Sequence, residues 1–143
     1  DAERIRGART CLSEAGMALD VHDAHAPSTL AGKAACSSVM LGPERPEALI
    51  CYNDLIALGF MKAALALGFR LPQDLSVTGF DNVPYGEYAV PALTTIDMQS
   101  EKMGEAAMLK LIDVLSGKRD IGHVTLEPRL IVRDSTTRRE TTP

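Results

Sequence analysis

The 143-residue chain has the composition of a globular protein, with 45% hydrophobic and 24% charged residues. Its length fits one ordinary domain or part of one. No apolar run approaches the length that crosses a bilayer, so we predict neither a membrane span nor a membrane partner. The formal net charge of −4, without a dense stripe of Lys and Arg, argues against a surface that binds nucleic-acid phosphates by itself.

The N-terminal residues and the cysteines indicate a cellular compartment. Residues 1–6 (DAERIR) are charged and lack the apolar stretch of a secretory signal. The three cysteines, Cys11, Cys36 and Cys51, are odd in number and lie among aliphatic residues. We expect them to be small buried thiols of a protein in the reducing cytoplasm.

The first third of the chain predicts two helices with an extended segment between them. The expected elements are a helix over 7–16, a short strand around Leu19 and Val21 that runs into a loop before Pro27, and a helix over 29–40. Gly16 stands where helices usually end. Ser28 is a typical helix cap, and the small residues after it favour close packing.

The rest of the chain alternates strands with helices after a break at 41–46. The expected elements are a strand over 48–52, a helix over 55–67, a strand over 75–79, a loop over 83–91, a strand over 93–96, a helix over 100–116, an edge strand over 124–132 and a polar tail over 136–143. This alternation predicts an α/β fold with a mainly parallel sheet and helices on both faces.

Two loops follow the carboxyl ends of neighbouring predicted strands, where such sheets bind ligands. They hold Asn53 and Asp54 after one strand, and Phe80, Asp81 and Asn82 after the next. A carboxylate beside an amide suits the adjacent hydroxyls of a sugar. The same residue types commonly cap helices or form turns, and both interpretations remain open at this point.

Sequence motifs of enzymes are absent from the chain. We find no G-x-S-x-G, H-E-x-x-H, G-x-x-x-x-G-K-S/T or G-x-G-x-x-G pattern. The nearest candidate for a metal site is His22-Asp23-Ala24-His25, which we interpret as a solvated loop because no further His or clustered Cys accompanies it. We therefore predict no catalytic residues, no metal site and no cofactor.

Five segments together resemble one protein family, the LacI/GalR transcription regulators. They are 4–7 (RIRG), 51–59 (CYNDLIALG), 68–82 (GFRLPQDLSVTGFDN), 91–96 (PALTTI) and 127–135 (EPRLIVRDS). The similarity runs almost end to end. The Leu-Thr-Thr part of 91–96 favours the regulators over the related periplasmic sugar-binding proteins.

The resemblance implies a regulator with an N-terminal helix-turn-helix DNA-binding domain, a hinge and a two-lobed effector domain that dimerises. The chain then corresponds to the later part of a periplasmic-binding-protein-like effector domain. Residues 1–96 would form an incomplete C-terminal lobe, 97–120 a crossover and a helix of the N-terminal lobe, and 121–143 the closing strand and polar tail. Operator DNA would be bound only through the helix-turn-helix domain, which this sequence does not include.

The resemblance also implies an effector site. Arg4, Asn53 and Asp81 match the family positions that hydrogen-bond the polar atoms of a small effector, such as a sugar, a sugar acid or a purine-like molecule. Tyr52 either stacks on a sugar face or fills the end of its strand. One departure is Met98, which stands where many members carry glutamine, with Gln99 next to it.

The helix over 100–116 has an apolar face formed by Met103, Ala107, Leu111 and Val114. If this helix belongs to the other lobe, we expect that face to be covered by a second copy of the chain or to be poorly ordered. Two alternatives to a homodimeric regulator remain. One is a sugar-binding protein of a transport system, and the other is an interaction module that uses this helix as its surface.

Overall fold

The computed structural model describes residues 2–137 and contains four helices and four short strands within that range. In chain order these are α1 (Ala2–Glu14), α2 (Thr29–Met40), β1 (Ala48–Ile50), α3 (Asp54–Ala66), β2 (Ser76–Thr78), a 3-10 turn (Pro84–Gly86), β3 (Thr95–Asp97), α4 (Ser100–Leu115) and β4 (Arg129–Ile131). None of the helices in the described range is long and apolar enough to cross a bilayer.

The parallel pairing expected from the strand–helix–strand pattern is confirmed. β1 and β2 are parallel neighbours, with Leu49 opposite Val77. A parallel bridge between Thr78 and Thr94 continues the pairing toward the third strand segment. The molecule is therefore an α/β protein, and the carboxyl ends of β1 and β2 meet at one edge.

The last two strands form a separate antiparallel ribbon. Thr95 of β3 pairs with Ile131 of β4. The predicted strand over 124–132 is shortened to three residues at its C-terminal end. Pro128 immediately precedes β4 and has no N–H to donate, so the strand begins only after it. β3 leads into α4, and β4 follows the segment after α4, so both strands of this ribbon connect to that helix.

α2 and α3 follow their predicted boundaries closely because side chains cap their starts, whereas α1 begins at Ala2 and not at the predicted residue 7. α2 has the predicted range, and the Ser28 hydroxyl accepts a hydrogen bond from the N–H of Ala31 at 3.2 Å. α3 begins one residue earlier than predicted, after Asn53, whose side chain accepts from the N–H of Ile56 at 2.9 Å. Each cap satisfies a backbone donor that has no partner within the helix.

The core lies where α2 and α3 pack together over the parallel strands. Its fully buried large side chains include Phe60, Met40, Leu75, Leu93 and Val77. α4 contributes no buried residue, and its apolar side chains are about half exposed, as with Met103 at 46% and Leu111 at 50%. The described residues thus leave the face that was predicted to need a partner about half exposed.

The predicted strand around Leu19 and Val21 is wrong. The structure has no helix or strand between α1 and α2, and Val21 is exposed. A strand is stable only where a neighbour accepts and donates ladder hydrogen bonds. No strand in the described range pairs with this segment.

The cysteines are only partly as expected. Cys36 and Cys51 are buried, and burial raises the pKa of both thiols. The negative charge of Asp54 adds to the effect on Cys51, whose pKa rises to about 12. The expectation for Cys11 is wrong because α1 buries none of its residues in the described structure, and its thiol is exposed.

The residue before the predicted polar tail, Ser135, is anchored to the sheet. The N–H of Val77 donates to the carbonyl of Ser135 at 2.8 Å, and the Ser135 hydroxyl donates back to the Val77 carbonyl at 2.6 Å. Thr136 follows, with its hydroxyl 2.9 Å from that of Thr94. The remainder of the predicted tail, 138–143, lies outside the described residues.

Two glycines set the close approach of α2 and α3. A Cβ built on Gly59 would overlap the backbone of Thr29, and one built on Gly32 would overlap the backbone of Ile56. Backbone atoms cannot move aside as a flexible side chain can. The helices must therefore separate if either glycine acquires a side chain.

We predict that Gly59→Ala destabilises the chain by about 1–3 kcal/mol or more, because the added methyl group overpacks the helix contact. Gly104→Ala is the matched control, since Gly104 lies in α4 with open space around it. That control should stabilise the chain by about 0.5–1 kcal/mol through helix propensity. Urea denaturation gives both values. A Gly59→Ala chain as stable as the unmodified one would contradict the close packing.

Candidate functional site

The two polar loops lie together at the carboxyl edge of the parallel strands. The N–H of Cys51 donates to the carbonyl of Thr78 at 2.9 Å, and the N–H of Asp54 donates to that of Phe80 at 2.8 Å. The hydrogen-bond ladder thus continues past the strand ends into both loops. Asn53, directly before Asp54, is thereby brought to the same edge as Asp81, as the parallel arrangement predicts.

Arg4 reaches this edge from the first turn of α1. Its guanidinium carbon lies 4.6 Å from the ring centroid of Tyr52 and 4.1 Å from that of Phe80. One guanidinium N–H also donates to the Tyr52 carbonyl at 2.8 Å. The group is held by two aromatic rings and one hydrogen bond, which leaves other N–H donors for a ligand. The Arg4 guanidinium is therefore held by neighbouring groups and is not a freely solvated charge at the start of a helix.

Tyr52 lies beside Arg4 at the end of β1. Its side chain is 45% exposed, and its ring contacts the guanidinium. The contact fixes the plane of the ring at the edge of the site. The sequence is compatible with two roles of Tyr52, stacking on a sugar face or filling the end of its strand. The geometry adds a third role, as a support for Arg4.

Asn53 is used mainly as a helix cap. Its side-chain oxygen accepts from the N–H of Ile56, and its amide nitrogen lies 3.5 Å from the carbonyl of Pro27. The residue is only 8% exposed. The amide N–H groups, whose contact with Pro27 is long, are the part of Asn53 that could turn toward a ligand.

Asp81 is the exposed carboxylate of the site. Its backbone has a φ of +105°, which residues other than glycine rarely adopt. Partial burial raises the pKa of this carboxyl group, the negative charge of Asp54 raises it further, and the positive charge of Arg4 opposes both. Arg4 lies over the ring of Phe80, the residue directly before Asp81, so its positive charge is next to the turn that carries this carboxylate.

Asp54 is a buried residue of the site, for which the sequence left open a sugar-binding carboxylate beside Asn53 and a helix cap or turn former. It is fully buried, and its two carboxylate oxygens accept from the Thr95 hydroxyl at 2.5 Å and the Val83 N–H at 2.8 Å. A side chain at Gly79 would overlap one of these oxygens. The local sequence carries no signal for this role because Thr95 is 41 residues away.

A further residue that was not singled out is Arg133, after β4. Its guanidinium donates to the carbonyl of Leu93 at 2.8 Å and to the side-chain oxygen of Asn82 at 2.9 Å. Asn82 directly follows Asp81 and also has a positive φ, of +53°. The loop that carries the carboxylate is thus held by a residue from the far end of the chain.

The histidine segment lies in the connection between α1 and α2. His25 is exposed, and its ring nitrogen is 3.3 Å from a carboxylate oxygen of Asp23. Within 2–137, no three His, Cys, Asp or Glu side chains are grouped as metal ligands.

The pattern of the periplasmic binding protein-like domain family matches residues 1–136. The chain belongs to this family. The HTH-type transcriptional repressor PurR of Pectobacterium carotovorum subsp. carotovorum is 41% identical over 105 residues, which are 73% of this chain and 31% of that repressor.

Solved structures of this family agree with the fold. A LacI-type transcription regulator from Bifidobacterium animalis subsp. lactis has a TM-score of 0.86 at 33% identity, covering 94% of this chain and 49% of its own. A LacI family regulator from Arthrobacter sp. FB24, solved in complex with lactose, has a TM-score of 0.69 at 33% identity. The match covers 78% of this chain and 43% of that regulator. The resemblance to the LacI/GalR regulators is confirmed. This periplasmic-binding-protein-like chain spans between about a third and a half of these relatives' length.

We predict that Arg4→Met raises the pKa of Asp81 in this periplasmic-binding-protein-like domain. The guanidinium charge favours the carboxylate, so its removal makes the proton harder to remove. Arg6→Met is the matched control, because Arg6 lies in the same helix but pairs with the exposed Glu3. Carboxyl carbon shifts followed by NMR during a pH titration measure the effect. An unchanged Asp81 midpoint in Arg4→Met would contradict the proximity of the two groups.

Proposed function

We propose that this chain is the effector-sensing part of a LacI/GalR-type transcription regulator, a repressor of bacterial genes. The effector is a small polar molecule of the sugar, sugar acid or purine-like class. The observation that carries the proposal is the position of Arg4 over the ring of Phe80, directly before Asp81, at the edge where β1 and β2 end. A site with a fixed cation, a carboxylate and two aromatic rings fits a ligand that has both hydroxyl groups and a flat face.

Each site residue has a distinct part in this proposal. The carboxylate of Asp81 accepts from two ligand hydroxyls, and the remaining N–H groups of Arg4 donate to ligand oxygen or ring nitrogen. Asn53 contributes one amide N–H, since its oxygen caps α3. Tyr52 and Phe80 hold Arg4 in place, and the exposed part of the Tyr52 ring gives the ligand an apolar contact.

The transport alternative uses the same kind of site but fits the comparisons less well. The relatives reported above are transcription regulators by name. The Arthrobacter regulator binds lactose in its crystal, which supports a carbohydrate as one candidate class here. We propose that the chain acts in the cytoplasm, has no enzymatic activity or cofactor, does not associate with membranes, and reaches operator DNA only through a separate helix-turn-helix domain.

The two-lobe division is also a proposal. We propose that 1–96 belongs to the C-terminal lobe, 97–120 to the N-terminal lobe, and 121–143 to the closing segment. α4 supports this division because it buries none of its residues and packs extensively on no other helix or strand of the described range. In a longer protein the N-terminal lobe would cover its apolar face. In the 143-residue chain, we propose that a second copy covers it.

We predict that the 143-residue chain dimerises through α4. An apolar face with Leu111 at 50% and Val114 at 49% exposure favours association. Leu111→Asp should shift the molecule toward the monomer, and Lys102→Gln, which changes the net charge by the same unit, should leave the dimer intact. Light scattering after size exclusion measures both. A monomeric unmodified chain with an ordered α4 would contradict this prediction.

The ligand proposal is tested by thermal stabilisation of the full-length protein with lactose, cellobiose, D-gluconate and adenine. A ligand that binds only the folded state raises the melting temperature with concentration. Asp81→Asn keeps the size and the tolerance for positive φ but removes the charge. It should weaken binding by about a hundredfold or more, since charge-assisted hydrogen bonds are lost, and Asp81→Ala should do the same.

Asp20→Asn is the control for that experiment, because Asp20 is an exposed carboxylate in the connection between α1 and α2. It should bind the ligand as the unmodified protein does. Operator affinity should be nearly unchanged in both Asp81 variants. An Asp81→Asn protein with normal ligand affinity would overturn the role of Asp81, and no stabilisation by any of the four compounds would count against these ligand classes.

A further inference from the structure

The turn that presents Asp81, residues 80–83, is held by groups from other parts of the chain. Three consecutive backbone N–H groups donate to them, from Asp81 to the Ile96 carbonyl at 2.9 Å, from Asn82 to the Thr95 hydroxyl at 3.3 Å, and from Val83 to the Asp54 carboxylate at 2.8 Å. Two of these acceptors belong to β3. The position of the carboxylate is therefore defined by a strand outside the parallel pair.

The turn has a backbone conformation that needs such support. Asp81 and Asn82 both have positive φ, at +105° and +53°, and neither is glycine. Such residues cost free energy and persist where the surrounding structure holds them. Without its partners, the turn would relax toward ordinary backbone angles and move the carboxylate of Asp81.

Arg133 supplies the side-chain support. Its planar guanidinium bridges the side-chain oxygen of Asn82, at 2.9 Å, and the carbonyl of Leu93, at 2.8 Å. Two donors fixed in one plane can hold two acceptors in a set geometry, which a lysine ammonium cannot do equally well. Arg133 lies two residues after β4, and its own N–H donates to the Thr94 hydroxyl at 2.9 Å.

We propose that Arg133 is a positioning residue that holds Asp81 in its ligand-binding geometry. Through Arg133, the ligand edge is tied to the β3–β4 ribbon and so to the segment that carries α4. The proposal rests on the proposed role of Asp81 in binding, but the support of the turn is measurable without a ligand.

The test is amide hydrogen exchange of the ligand-free full-length protein. In Arg133→Met, which keeps the length of the side chain, the amides of Asn82 and Val83 should exchange about tenfold faster or more, as expected when a charge-assisted hydrogen bond is lost. Amides in α2 and α3 should keep their protection. Arg129→Met, an exposed position of β4, is the control and should leave the turn unchanged.

A double variant separates a positioning role from general stabilisation. Asn82→Gly removes the acceptor and tolerates the positive φ. If Arg133 acts through Asn82, the double variant Arg133→Met/Asn82→Gly exchanges at Val83 no faster than Asn82→Gly alone. The proposal would be overturned if the two substitutions had additive effects on exchange at Val83. It would also be overturned if exchange became faster evenly over α2 and α3. If Arg133→Met does not fold, the Asn82→Gly variant alone tests the proposal. Unchanged exchange protection of the Val83 amide in that variant would overturn it.

The ligand arm uses lactose, cellobiose, D-gluconate and adenine with the same variants. If one of them stabilises the unmodified protein, Arg133→Met should lose most of that stabilisation and Arg129→Met should keep it. If Arg133→Met kept all of the ligand-induced stabilisation, the proposed link between Arg133 and ligand binding would be overturned. If none of the four stabilises the unmodified protein, the proposed function fails for these compounds, while the exchange data still decide whether Arg133 holds the turn.

Discussion

The buried carboxylate of Asp54 is the interaction on which the geometry of the site depends. It lies at the first residue of α3 and joins that helix to β3 through the Thr95 hydroxyl and to the site turn through the Val83 N–H. The positive end of the helix stabilises a negative charge there. Gly79 leaves the space that the carboxylate occupies. Removing the carboxylate would leave buried donors unpaired, at a cost of about 1–3 kcal/mol each.

The site combines a cation held by aromatic rings, Arg4, with an exposed carboxylate, Asp81. The guanidinium of Arg4 lies against the rings of Tyr52 and Phe80, and within the described residues only one hydrogen bond, to the Tyr52 carbonyl, is formed by its N–H groups. A guanidinium loses little hydration free energy in such a position because it is weakly hydrated. Asp81, in contrast, is an exposed residue, although partial burial of its carboxyl group and then the charge of Asp54 raise its pKa.

The parts of the structure that the sequence predicts are those with local causes. The helix over 29–40 was predicted to the residue because Ser28 caps it. The shared edge of Asn53 and Asp81 followed from the rule for parallel strands. The strand around Leu19 was wrong because a strand depends on a neighbour, which periodicity does not reveal. Likewise, the bridge from Arg133 to Asn82 spans 51 residues, and no local pattern encodes it.

The anchoring of Ser135 has a consequence for the order in which the chain folds during synthesis. Its hydroxyl pairs with the Val77 carbonyl across 58 residues. The edge of β2 is therefore incomplete until Ser135 has left the ribosome. Helix α2 and helix α3 are close in sequence and can associate early, whereas β2 must wait for its last partner. A nascent chain that stalls before Ser135 would expose an unpaired strand edge to other chains, a condition that favours aggregation.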